Sequence, residues 1–264
     1  MMFTLDHDYH IHTLLSTCCH EAQMTPKNII PVCKSENHTE IVLTNHFWDA
    51  KMPGADDWYG PQDLNWVKQL LPLPTENGMK IRFGCETEFC GGKKIGISPE
   101  SYSEFSFIIV PFTHLHNHFS RPVDCTTPEQ VANLFMDHFE DLLSIDLPWK
   151  KVGIPHLTCP LVYPGPRLHE VFEHMNNGRL EKCFDFLAKA GAGIELNAAC
   201  FNPGWEQYRD TFLNIYRLAK HAGCKFYTGS DAHALETLKN INQNLPAVIE
   251  ALRLQNNDRY YIPD

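Results

Sequence analysis

Positive charge is scarce in this chain. Against 32 acidic residues it carries 22 lysines and arginines, a formal net charge of −10. Proteins that wrap a phosphate backbone rely on a cationic surface, so this balance disfavours nucleic acid as a partner. A small anion held by metal ions is still allowed, because local charge outweighs the global sum. Long apolar runs are also missing. None approaches the ~20 residues needed to span a bilayer, so no membrane segment is expected. The N-terminus, MMFTLDHDYH, has neither a basic segment nor an apolar signal core, which points to the cytoplasm. The ten cysteines form no regular framework and no paired C-x-x-C ribbons, so reduced and mostly buried thiols are expected. No glycine-rich loop opens a helix after the first strand-like run, and no Ser/His/Asp triad is evident. Charged residues, at 20%, are too few for a disordered chain, and 43% hydrophobic residues can build a large core. We expect one domain over residues 1–264, a length typical of a barrel.

What the chain has in excess is histidine, 15 residues, as many as glycine. Imidazole is neutral near pH 7 and is the commonest metal ligand. The competing reading is scattered surface histidines, and position decides between the two.

A pattern recurs along the chain: a β-rich run ends in a ligand-type residue, and a helical stretch follows. The runs are Leu5 to Ile11 (with His10 and His12), Glu40 to Asn45 (then His46), Lys80 to Cys85 (then Glu86), Phe105 to Phe112 (then His114), Lys151 to Pro155 (then His156), Gly193 to Asn197, and Lys225 to Ser230 (then Asp231 and His233). Helical patterns follow from Pro26 to about Ser35 and from Pro128 to about Leu143, with Thr25 and Thr127 as N-caps. Others cover Arg179 to Lys189, stopped by Gly191, Trp205 to His221, stopped near Gly223, and Leu245 to Leu254. Alternating strand and helix predicts parallel strands with helices outside. Seven strands favour an α/β fold closed into a TIM-like barrel, whose strand C-termini converge on one face.

That convergence matters for chemistry. In D-Y-H-I-H-T, His10 and His12 are two apart and share one face of a strand, so both imidazoles can chelate one cation. G-S-D-A-H adds a carboxylate and an imidazole at Asp231 and His233. Between them lie T-N-H (His46), G-C-E-T-E (Glu86, Glu88), T-H-L-H-N-H (His114, His116) and I-P-H (His156). Six strand ends in seven carry such a residue, which strains the reading of unrelated loop histidines. The mix of nitrogen and oxygen donors suits zinc, manganese or iron better than calcium.

This ordered series, from Asp8 to His233, resembles the polymerase and histidinol phosphatase (PHP) family. The resemblance implies a distorted seven-stranded (β/α)7 TIM-like barrel that binds two or three divalent ions and hydrolyses a small phosphoester. Carried over by motif, His10 and His12 become ligands of one ion with Glu86 and Asp231, and Glu86 takes the bridging position. His114 and His156 become ligands of a second ion, and His46 and His233 of a third. Asp231, Glu86 and His233 are the expected catalytic residues. The family places one more ligand in the loop after H-x-H, often six residues on, and that position here is Cys18. His20, two further along, is our choice if the loop is longer, with the Cys18 thiolate as rival. His114 is preferred to His116, and Glu86 to Glu88.

Metal-activated water and a metal clamp on the phosphoryl group would make a protein nucleophile unnecessary. Asp8 and Asn197 are candidates to orient ligands. Arg121 and Arg167 are the chosen phosphate contacts, with Lys93 and Lys94 also in predicted loops. Phe47, Trp48, Trp58 and Trp205 are candidates to line a pocket. The leading expectation is a phosphomonoesterase of the histidinol phosphatase kind. Alternatives are a phosphodiesterase or exonuclease, a non-catalytic metal-binding domain, and a hydrolase of amide or ester bonds.

Overall fold

The computed structural model describes residues 1–264. Seven parallel strands follow one another around a nearly closed barrel: β1 (His7–Ile11), β2 (Glu40–His46), β3 (Lys80–Glu86), β4 (Phe107–Ile109), β5 (Val152–Ile154), β6 (Gly193–Asn197) and β7 (Lys225–Gly229). The helices α1 (Pro26–Ser35), α2 (Leu64–Val67), α3 (Pro128–Leu143), α4 (Leu168–Glu173), α5 (Asn177–Ala190), α6 (Arg209–His221) and α7 (Asn240–Leu252) occupy the connections. This is the distorted (β/α)7 TIM-like barrel expected above.

The helices end where local chemistry says they should. The Thr127 hydroxyl accepts from Gln130 N at the start of α3, and the Gln130 side chain accepts from Thr127 N in return. Gly191 stops α5 at φ 84°, a left-handed angle that a side chain would disfavour. Thr25 precedes α1 in an extended conformation, but its side chain makes no capping bond. The last helix differs from expectation. It begins at Asn240, five residues early, and carries Pro246 in its interior. That proline resembles a helix start in sequence, whereas burial of Ile241 and Leu245 extends the helix through it.

The parallel ladder runs from β1 to β7, with a register shift in β1 between Asp8 and Ile11, and does not continue regularly between β7 and β1. There the barrel closes with a few backbone bonds (Asp231 N to His10 O 2.8 Å, His12 N to Ala232 O 3.1 Å) and with side chains standing in for backbone. His7 Nε2 accepts from Thr228 N at 3.1 Å, and Asp8 Oδ1 accepts from Ser230 N at 3.0 Å. Two buried polar side chains therefore satisfy donors that a continuous ladder would have paired.

The lower half of the barrel interior is apolar. Tyr9, Val42, Phe107, Ile109 and Tyr227 fill it, and Tyr260 and Ile262 from the C-terminal segment pack against them. Gly153 makes room for these rings, since a Cβ there would lie 2.4 Å from Phe107 Cζ and 2.5 Å from Tyr227 Oη. The upper half, at the strand C-termini, holds the ligand-type residues. No helix is long and apolar enough to cross a membrane. All ten cysteines are free; eight are buried, and Cys18 and Cys200 are half-buried.

Candidate metal centre

His10 lies on β1 and His12 one residue beyond it, with both rings fully buried. His46 ends β2 and Glu86 ends β3. His114, His156, Asp231 and His233 follow β4, β5 and β7 on loops at the same rim. Three groups of donor atoms result, each with its atoms within 4.8 Å of one another: His10, His12 and Asp231; Glu86, His114 and His156; and His12, Cys18, His46 and His233. Residues more than 200 positions apart in sequence meet here.

The hydrogen bonds around these groups dictate where each imidazole keeps its lone pair. His10 Nδ1 donates to the Glu195 carboxylate at 2.8 Å, and His114 Nδ1 donates to Glu88 at 2.7 Å. His233 Nδ1 donates to the Asp231 carbonyl at 2.8 Å. His12 Nδ1 contacts Ser16 Oγ at 2.9 Å; that hydroxyl already donates to Asn45 Oδ1, so it accepts from His12. With the outer nitrogens holding the protons, neutral rings turn bare Nε2 lone pairs inward.

The inward atoms are closely spaced. His10 Nε2 and His12 Nε2 lie 3.2 Å apart. Glu86 Oε2 sits 3.3 Å from His10 Nε2, 3.2 Å from His12 Nε2 and 3.2 Å from His46 Nδ1, and Glu86 Oε1 is 3.2 Å from His156 Nε2. Asp231 Oδ1 lies 3.5 Å from His10 Nε2 and 3.2 Å from His12 Nε2. His46 Nδ1, on a residue only 6% exposed, makes no hydrogen bond. Lone pairs facing lone pairs beside the buried Glu86 carboxylate and the partly exposed Asp231 carboxylate require positive charge between them, from protons or from metal ions. Burial alone would push His10 down, yet Asp231, Glu195 and Glu86 hold it well above the ordinary imidazole value. Burial opposes ionisation of Glu86 too, and His46 and His10 nonetheless keep it well below the usual carboxylate range. Burial pushes the Cys18 thiol up, and Glu86 and Asp231 push it further. The donor set therefore fits divalent cations.

Two of the candidate ligands sit in strained backbone. His156 has φ 27° and Asp231 φ 55°, positions that non-glycine residues rarely adopt. Such strain costs about 1–3 kcal/mol per residue and persists only where neighbours impose it. At Asp231 the neighbours are His10 O, which takes its N–H, and His233 Nδ1, which donates to its carbonyl.

Most expected residues converge, with some exceptions. His20 is exposed and outside every donor group, whereas Cys18 is inside one. The loop is not longer here. Tight turns, with Ser16 N on Thr13 O and Cys19 N on Ser16 O, bring Cys18 Sγ to 2.9 Å from His233 Nε2. Arg121 and Arg167 also stand outside the site. Arg121 donates to Cys125 O at 2.7 Å, with its guanidinium 5.4 Å from the centre of the Tyr163 ring, and Arg167 pairs with Glu170 on the surface. Both are satisfied by near neighbours in sequence or space. His114 joins a donor group while His116 is exposed at the rim. Glu88 lies outside the donor groups, accepting from His114 and from Tyr59 Oη at 2.5 Å. Asp8 Oδ1 accepts from His10 N at 3.1 Å, and Asn197 Nδ2 donates to Glu195 Oε2 at 3.0 Å.

Glu195 escaped the sequence reading. Fully buried on β6, it accepts from His10 Nδ1 with one oxygen and from His156 N, at 2.7 Å, with the other. It thus orients residues of two donor groups. Its signal was a carboxylate in the middle of the apolar strand G-I-E-L-N, on the same face as Asn197.

A cavity of about 460 Å³ opens over the donor groups. Its walls include Asp56, Trp58, Tyr59, His116, Phe119 and Leu161, and no lysine or arginine lines it. Of the aromatics expected near a pocket, Trp58 is on the wall, while Phe47, Trp48 and Trp205 are buried. Lys94 is not on the wall either; its Nζ lies 5.8 Å from the centre of the Trp48 ring.

No family model and no curated protein matches the chain. Among solved structures, it is similar to histidinol phosphate phosphatase from Lactococcus lactis subsp. lactis Il1403, complexed with zinc, L-histidinol and phosphate. The TM-score is 0.62 at 18% identity, over 97% of this chain and 98% of that one. It is also similar to a protein of Listeria monocytogenes assigned as a histidinol phosphatase, with a TM-score of 0.57 at 13% identity, over 88% of this chain and 96% of that one. At such identities the likeness is one of fold.

Proposed function

We propose that this chain is a metal-dependent phosphomonoesterase of the PHP type, acting on a small phosphate ester that carries an amine. One observation carries the reading. Bare Nε2 atoms of His10 and His12, 3.2 Å apart, share one rim with oxygens of Glu86 and Asp231, and the Nδ1 atoms are already committed as donors. Neither a serine nucleophile nor a nucleic-acid surface accounts for that arrangement.

His10, His12, Asp231 and Glu86 would hold one ion, and Glu86, His114 and His156 a second. His46 and His233 belong to a third. Divalent ions so held supply activated water near neutral pH and Lewis-acid polarisation of the phosphoryl oxygens. The protein's own residues do the rest. Glu86 spans the groups, with one oxygen toward His10, His12 and His46 and the other toward His156. Glu195 and Ser16 hold the rings of His10 and His12 in the tautomer that aims Nε2 at the centre. Trp58, Phe119 and Leu161 form apolar walls above the donor groups.

The cavity walls support the substrate class. With no lysine or arginine on the cavity, the phosphate end would meet the ions at the floor, with His116, Asn117 and His118 as the uncharged donors on the wall. Asp56 Oδ1 accepts from Trp58 N and Tyr59 N, which fixes a carboxylate among aromatic rings. A carboxylate beside aromatic faces suits an ammonium or imidazolium group. The complex of the Lactococcus protein with L-histidinol and phosphate supports the same class.

The test is phosphate release from a panel of monoesters that includes histidinol phosphate and neutral sugar phosphates, before and after chelation. Turnover of amine-bearing monoesters that vanishes with the metal and returns on re-addition is expected. Turnover that survives verified metal removal, or that is confined to phosphodiesters, contradicts the proposal. Asp56→Asn should raise KM for the amine-bearing esters about tenfold, equivalent to 1.4 kcal/mol, while neutral esters change little.

A further inference from the structure

The third donor group differs chemically from the other two, because it alone contains sulfur. His12, Cys18, His46 and His233 present donor atoms within 4.8 Å of one another. His12 Nε2 also faces Glu86 and Asp231, and His46 Nδ1 also faces Glu86, so Cys18 and His233 are the donors peculiar to this position and His46 joins them from the Glu86 side. Each of the three carries an independent mark of a ligand. His233 Nδ1 donates to a backbone carbonyl, which can only accept, so Nε2 keeps its lone pair and accepts from the Cys18 thiol 2.9 Å away, a proton that a cation would replace. His46 is 6% exposed and its Nδ1 has no hydrogen-bond partner. Cys18 lines the cavity beside Asp231 and His233, so an ion reaches it from solvent.

The surrounding loop is built to hold the thiol there. Ser16 Oγ accepts from His46 N at 3.1 Å and donates to Asn45, and Thr17 N donates to Gln62 Oε1 at 2.9 Å. Cys19 Sγ lies 3.4 Å from the His233 carbonyl, which anchors the loop to the segment after β7. These bonds tie the Cys18 loop to β2 and to the β7 end together.

We infer that Cys18 is a thiolate ligand, so that the third position is a sulfur–imidazole–imidazole site for a borderline-soft divalent cation such as zinc. The inference rests on the reading that this rim binds divalent ions. Formation of the metal–sulfur bond releases the thiol proton to solvent. Thiolate donors favour zinc-type ions, whereas carboxylate-rich positions also suit manganese, so the positions on one rim differ in the ions they prefer.

The probe is cobalt(II), titrated into the metal-stripped protein while absorption and bound metal are followed. The wild type should develop a thiolate-to-cobalt charge-transfer band in the near ultraviolet. Cys18→Ser should lose that band and bind one ion fewer per chain, with the remaining ions still present. Cys18→His should lose the band but keep the ion, which separates loss of sulfur from loss of fold. Cobalt that binds the wild type with no thiolate band overturns this inference alone, as does a band that persists in Cys18→Ser. Cobalt that fails to bind at all overturns it together with the metal-dependent function.

Discussion

At the scale of single residues, the site depends on which nitrogen of each imidazole holds its proton. Asp231 and His12 contribute donor atoms that nothing nearby replaces, so Asp231→Ala and His12→Ala should each abolish turnover and lower bound metal while the circular dichroism spectrum stays native. Normal activity in either variant would remove that residue from the centre. Glu195 acts through others: it orients His10 by its ring and His156 by its backbone N–H. Glu195→Gln keeps the shape but weakens both holds, and metal affinity should fall about 10–100-fold, the usual effect of losing a residue that orients ligands. Isothermal titration with zinc reads this directly, and an unchanged affinity would show that Glu195 is merely structural. Among the loop candidates the choice between Cys18 and His20 turned on turn geometry, which spacing does not encode.

At the scale of elements, the strands work by delivering residues to one rim, and glycine permits the closest approach. Gly229 ends β7 against β6 and β1. A Cβ there would lie 2.0 Å from Glu195 Oε1 and 2.7 Å from His10 Cβ. Gly229→Ala must therefore displace Glu195 or part β7 from β1, at a cost of about 1–3 kcal/mol for overpacking. Chemical denaturation should register that loss, and metal affinity should fall with it. An alanine variant as stable and as tight as the wild type would mean that the β7 end is looser than described. The same seam explains why the barrel is distorted. His7 and Asp8 side chains take the place of ladder bonds between β1 and β7.

At the scale of the whole molecule, stability should depend on both pH and metal. Burial, partly opposed by Asp6, pushes fully buried His7 down to about 4, and burial followed by the charge on His7 pushes His38 down to about 4. Unfolded histidine titrates near 6.5. Because the folded values are depressed, both groups favour folding above pH ~6.5, and that contribution is lost as pH falls from there toward 4, by up to about 2–3 kcal/mol per group. For His7 the reason is visible: Nε2 accepts from Thr228 N, and a protonated ring cannot. His38 makes no side-chain hydrogen bond with either ring nitrogen. Thermal melts in the presence of chelator should fall steeply between pH 6.5 and 4.5, and His38→Leu should flatten the slope. A His38→Leu profile parallel to the wild type would refute its part in the effect. Metal itself should stabilise: at 100 times the dissociation constant an ion adds about 2.7 kcal/mol. For a chain of this size that raises Tm by roughly 5–10 °C.

Much was legible in the sequence alone. Strand runs ending in His46, Glu86, His156 and Asp231 follow from β-rich stretches bounded by turn residues, and their shared rim follows from barrel geometry alone. Capping at Thr127 and the stop at Gly191 are local chemistry, encoded in neighbouring residues. What spacing could not convey are contacts between residues distant in the chain: Cys18 against His233, Glu195 between His10 and His156, and the exclusion of Arg121 and Arg167 from the cavity. Local propensity carries periodicity and caps. Tautomers, strained angles at His156 and Asp231, and the charge of a pocket wall arise from packing and dielectric, which exist only once the barrel has closed.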